Sequence, residues 1–94
     1  MKNLVRGNEA PESAEVLSDS EFITVALDQI STTAQSIKNT TQSEEVLNGF
    51  ADILELMQEV LMKHKMSPIV ALQHVSAIRQ ERGSFSEKKA VTKE

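Results

Sequence analysis

The chain predicts an all-α domain, on the strength of three observations. Three stretches repeat apolar residues at steps of three and four, the period of one helix face. Each stretch is bracketed by residues that start and stop helices. At 94 residues, without cysteine and without an internal repeat, the chain has room for one small core. The expected architecture is a three-helix core over about 19–38, 44–64 and 68–82, forming a helical bundle completed by dimerisation, with short extended termini.

The first helix follows Ser18-Asp19-Ser20-Glu21, a capping box with Ser18 at the N-cap and Glu21 three residues on. Ile23, Ala26, Leu27, Ile30, Ala34 and Ile37 then share one face. Ser31, Thr32, Thr33 and Ser36 fall elsewhere, where a surface helix usually carries better helix formers. Asn39–Gln42 connects to the second helix, with Ser43 expected as its cap and Glu44-Glu45 in its first turn.

That second helix carries two apolar stripes. Leu47, Phe50, Leu54, Met57 and Leu61 form a seam suited to antiparallel packing, and Val46, Ile53, Leu56 and Val60 lie beside it. A single small monomer has little with which to cover both, so a dimer or tetramer is expected. Ser67-Pro68 starts the third helix, Ile69, Leu72, Val75 and Ile78 point inward, and Gly83 stops it. Phe85 is expected to pack back. The domain limits are 18–85, with a polar lead-in over 1–17 and a polar tail over 86–94 that includes Lys88, Lys89 and Lys93.

Composition excludes several classes. Net charge is −4 with pI near 5.2, which argues against a nucleic-acid binder, and three Phe without Tyr or Trp supply few stacking platforms. No apolar run reaches the roughly 20 residues of a membrane span, and the first residues, with Lys2 and Arg6 but no apolar run after them, are not expected to act as a secretory signal. The absence of cysteine fits a cytoplasmic setting. His64 stands at a helix C-terminus, where positive charge suits the dipole, and His74 has no companion at ligand spacing.

Asp52 and Glu55 are the sharpest local feature. They sit three residues apart on one face of the most apolar helix. Carboxylates so placed must reach an exposed edge, pair with a cation or hold a metal. On the pairing reading, Arg79 or Arg82 of the third helix is the expected partner. On the metal reading, Glu59 lies one turn further on.

Three landmarks in order carry a resemblance: Asn3-Leu4-Val5-Arg6, Phe50-Ala51-Asp52-Ile53-Leu54-Glu55 and Arg82-Gly83-Ser84-Phe85. Together they resemble the MazG-like all-α nucleoside-triphosphate pyrophosphohydrolases, in particular the phosphoribosyl-ATP pyrophosphohydrolase-like branch. The resemblance implies a Mg²⁺-dependent hydrolase releasing a nucleoside monophosphate and pyrophosphate. It also implies metal ligands in a Glu-Glu-x-x-Glu pattern on the first helix and Glu-x-x-Asp on the second. In this chain Thr32, Thr33 and Ser36 take the first three seats, Gly49 takes the fourth and only Asp52 is retained.

Asp52 and Glu55 remain as residual metal candidates, with Arg6, Arg79 and Arg82 as phosphate-binding candidates. The expectation is a degenerate member, catalytically silent, serving as a nucleotide-sensing or protein-interaction module. One alternative is an active enzyme binding Mg²⁺ in a shifted site with Asp28. Another is a purely structural helical dimer.

Overall fold

In the computed structural model, which describes residues 2–92, α1 runs Asp19–Lys38, α2 Ser43–Lys63 and α3 Pro68–Arg82. The fold is all-helical, and no strand occurs among the described residues. Of the polar tail, Lys93 and Glu94 lie outside the described residues.

The helix ends follow from local chemistry. The Ser18 hydroxyl accepts the Glu21 backbone N–H at 3.2 Å, satisfying one of the free amides of the first turn. Glu21 does not return the bond; its carboxylate instead accepts from Lys2 at 2.9 Å. At α2 the cap is Gln42, and Ser43 is already the first helical residue. Thr40 performs the local fastening there. Its hydroxyl accepts the Gln42 N–H at 3.2 Å and donates to the Glu45 carboxylate.

The far end of α2 closes through a left-handed residue. Lys65 has φ 65°, its N–H reaches Met62 O, and the Met66 N–H reaches Leu61 O, both at 3.0 Å. This paired arrangement satisfies two of the last free carbonyls. Gly83, at φ 83°, stops α3 as expected, and its N–H bonds the Arg79 carbonyl at 2.9 Å.

α1 and α2 form an antiparallel hairpin. Ile37 near the end of α1 lies over Gly49 near the start of α2. At the other end, the Lys63 ammonium stands 5.6 Å from the centre of the Phe22 ring. The hairpin explains which α2 stripe is covered. Val46, Ile53, Leu56 and Val60 are buried or half-buried, while Leu47, Phe50, Leu54 and Met57 of the expected seam are exposed. A helix has two sides to offer, and the connection to α1 uses only one.

Of the expected α1 face, Ile23, Ala26, Ile30 and Ile37 are buried or half-buried, while Leu27 and Ala34 are exposed. Phe22, Gln29 and Thr33 are half-buried as well. The expectation for α3 needs a larger correction. Ile69, Leu72 and Val75 are exposed, and only Ile78 of that group is half-buried. Phe85 does not pack back; it is 99% exposed. Val91 is exposed as well.

Within one chain the core is therefore thin. Among the described residues only Ala26, fully enclosed, and Val60, 8% exposed, count as buried. Fully burying one large aliphatic side chain contributes about 1.5–3 kcal/mol, and most of the apolar side chains here stay partly wet. Among the described residues no helix is long and apolar enough to cross a membrane.

Candidate functional site

Residues 2–17 of the lead-in form a strap laid across the hairpin. Lys2 reaches Glu15 and Glu21, each at 2.9 Å. Two residues on, the Leu4 N–H donates to Gln29 Oε1 at 2.7 Å, and Gln29 Nε2 donates back to the Leu4 carbonyl at 3.1 Å. The Gln29 side-chain amide thus reads the strap as a neighbouring strand would. Arg6 completes the fastening: Nη2 lies 2.5 Å from Asp52 Oδ1, and Nη1 lies 2.6 Å from Glu55 Oε1.

This arrangement corrects the expected pairing. The cation on Asp52 and Glu55 is Arg6, from the opposite end of the chain to Arg79 and Arg82. The helix puts both carboxylates on one face, and the planar guanidinium supplies two donors in a fork that spans them. Its pKa is pushed up from the ordinary arginine value, first by the bond to Asp52 and then by Glu55. All three side chains are about half exposed, so the pairs are screened and act as fasteners more than as a store of stability.

The strap, α1 and α2 together line a cleft of about 320 Å³. Its polar wall is acidic, with Glu9, Asp52, Glu55 and Glu59 around the single cation of Arg6, and Phe22 and Leu56 form the apolar side. Neither Arg79 nor Arg82 lines it. Arg79 instead borders a shallow hollow at the end of α3, with Ser76, Gln80 and Glu87.

The vacated ligand seats lie elsewhere. Thr33, Ser36 and Gly49 border a second hollow between α1 and α2, with Asn48 and Glu45. The Thr32 hydroxyl donates to the Asp28 carbonyl at 3.1 Å, and Ser36 donates to the Thr32 carbonyl at 3.3 Å. These are the self-contained bonds hydroxyl residues make inside helices. Thr33 is half-buried against α2. Gly49 is a contact residue: a Cβ there would meet Ile37 Cγ1 at 2.7 Å and Cδ1 at 2.8 Å. Its missing side chain is what lets Ile37 close over α2.

The Mg²⁺ site of the resembled family does not fit these residues. A divalent cation of that kind takes hard oxygen ligands, ideally several carboxylates in octahedral array. Here the two carboxylates of α2 are bridged by a guanidinium, and Asp52 borders a different hollow from Thr33, Ser36 and Gly49. Ile37 covers the space over Gly49. Asp28 of the shifted alternative does not line the Arg6 cleft. Among the described residues no three His, Cys, Asp or Glu side chains converge as a metal would require. No protein-family model, curated protein or solved structure matches the chain.

The signal for Arg6 was present in the Asn3-Leu4-Val5-Arg6 landmark, but its contacts were not. Gln29, which holds Leu4, carried no signal. The strap also makes a testable device. Arg6→Gln should leave helix content unchanged while the Leu4 amide exchanges with deuterium faster than in the parent chain. Added salt should act in the same direction, since the ion pairs are exposed. Lys2 adds a pH limit. Glu15, then Glu21, raise its pKa above 10.5. The fastening it provides is complete below that value and is lost as pH climbs through the raised pKa.

Proposed function

We propose that this chain is a catalytically silent helical association module, of MazG-like ancestry, that works as a homo-oligomer. The observation that carries the reading is the uncovered apolar face of α2: Leu47 is 70% exposed and Leu54 58%, beside a core with two buried residues among those described. A soluble chain rarely presents contiguous apolar side chains of this size unless they meet a partner. Ile69, Leu72 and Val75 of α3 add to the uncovered surface.

Of the two silent roles, protein interaction is the better supported. A nucleotide-sensing site must attract phosphate, and the cleft that the strap forms with α1 and α2 is lined by four carboxylates around an arginine already engaged by two of them. Triphosphate would be repelled there without bound cations. The landmarks shared with the pyrophosphohydrolases are then read as scaffold: Arg6 with Asp52 and Glu55 fastens a strap.

Calorimetric titration with Mg²⁺ and a non-hydrolysable nucleotide tests the silent half of the reading. No saturable heat is expected. Micromolar binding abolished by Asp52→Asn would instead support the Mg²⁺-dependent pyrophosphohydrolase.

A further inference from the structure

We infer that the groove under the strap is a recognition site for an extended, arginine-bearing segment of a partner protein, and that the strap is its tethered occupant, closing the site until displaced. Leu47, Phe50, Leu54 and Met57 of the uncovered α2 face do not line this cleft, so the inference goes beyond the association proposed above.

The groove is defined by what already sits in it. The Gln29 amide accepts from the Leu4 N–H and donates to the Leu4 carbonyl, two groups that every residue except proline offers. Two residues on, Asp52 and Glu55 take the guanidinium of Arg6. The backbone at Arg6 is extended, with φ −68° and ψ 149°. Side chains of an extended chain alternate, and the strap does so here. Leu4 is half-buried, Val5 is 53% exposed, and Arg6 returns to the carboxylates. Backbone bonds at one residue and a side-chain site two residues on divide the work as peptide-binding grooves do. The first holds any chain, and the second selects a residue. A planar guanidinium spans two carboxylates on one helix face; a lysine ammonium, a single point charge, does so poorly.

The strap holds its place weakly. Of residues 2–17 only Leu4 and Leu17 are half-buried, and the rest are exposed. Lys2 and Arg6 make their ion pairs in the open, where each contributes little. A segment with so few buried apolar contacts opens readily. The tether compensates, presenting the strap to the groove at an effective concentration on the order of millimolar.

The strap is also an incomplete match for the charge beneath it. Glu59 lines the same cleft from α2, two turns beyond Asp52 and on the same face. It is half-buried and forms no ion pair among the described residues. Arg6 is followed by Gly7 and Asn8, which bring no second cation. A partner segment with a basic residue after its arginine answers Glu59 as well, and so displaces the strap with an advantage that the strap lacks.

The test is an NMR titration of the full chain with a synthetic peptide of residues 2–9. With Arg6→Gln protein, whose strap is loosened, the peptide should shift the Gln29 side-chain amide and the Asp52 and Glu55 signals. The parent chain should bind it roughly tenfold more weakly, because its own strap competes. Lys2→Gln, which loosens the strap at its other anchor, serves if Arg6→Gln does not fold. Gly7→Lys in the peptide should tighten binding, and Glu59→Gln in the protein should cancel that gain. Peptide carrying Arg6→Gln should shift nothing. Equal shifts from the two peptides would overturn the inference by removing the selection for arginine. Equal binding to parent and loosened chains would overturn it by placing the peptide beside the strap, and so would the absence of any shift. Asn3→Ser with Val5→Thr in the peptide, both at exposed positions, should change binding by no more than about twofold. Loss of binding there would tie the groove to the strap's own sequence, making a second copy the occupant and overturning the assignment to a partner. Sedimentation mass reads the association through α2 separately, so either reading can fail alone.

Discussion

Leu54→Glu is expected to reduce the protein from a dimer of about 21 kDa to its 10.4 kDa monomer in sedimentation equilibrium. In the lone chain Leu54 is exposed, so a carboxylate there meets water and costs α2 little. In the assembly the same carboxylate would enter an apolar seam, where an unpaired charge is strongly disfavoured. The dependence of melting temperature on protein concentration should disappear with the dimer. Thr32→Glu, exposed on α1 away from the hairpin's apolar side, is the control and should leave the mass unchanged. A dimeric Leu54→Glu protein would show that the seam is not the interface.

Gly49→Glu, which restores the carboxylate of the resembled family, should destabilise the fold by about 1–3 kcal/mol through overpacking, less up to about 1 kcal/mol recovered from leaving glycine in a helix. The geometry sets the sign: Cγ1 of Ile37, a stiff β-branched residue, stands 2.7 Å from where the Cβ must go. Urea midpoints at one fixed protein concentration read the change. Combining it with Ile37→Ala should cost less than the two single changes added, because the second removes the atoms the first collides with. Strict additivity would mean that Ile37 and Gly49 do not meet. The vacated seat is thus an occupied contact, and returning one glutamate does not rebuild a metal site.

Much of the fold was legible because it is local. Ser18 and Gly83 mark boundaries through bonds to residues within four positions, Pro68 through its fixed backbone angle, and the three helices fall within one residue of the expected limits at every end. The Gln42 cap was missed because Thr40 and Glu45 tie the turn together, a bond that spacing alone does not announce. The candidate site was legible only in half. The pairing of Asp52 with Glu55 on one face follows from helix geometry; the identity of their cation does not. Arg6 lies 46 and 49 residues away along the chain from the two carboxylates it holds.

Helix existence, helix limits and the two apolar stripes of α2 were properties of the amino-acid order, since the period of 3.6 and the caps act between near neighbours. Which stripe meets α1, which cation takes Asp52 and Glu55, and that Gly49 is a point of helix contact were settled by tertiary structure alone. A stripe records only that it avoids water, and two stripes on one helix avoid it equally. The hairpin connection and the fit of Ile37 over Gly49 choose between them, leaving Leu47, Phe50, Leu54 and Met57 open to a second copy.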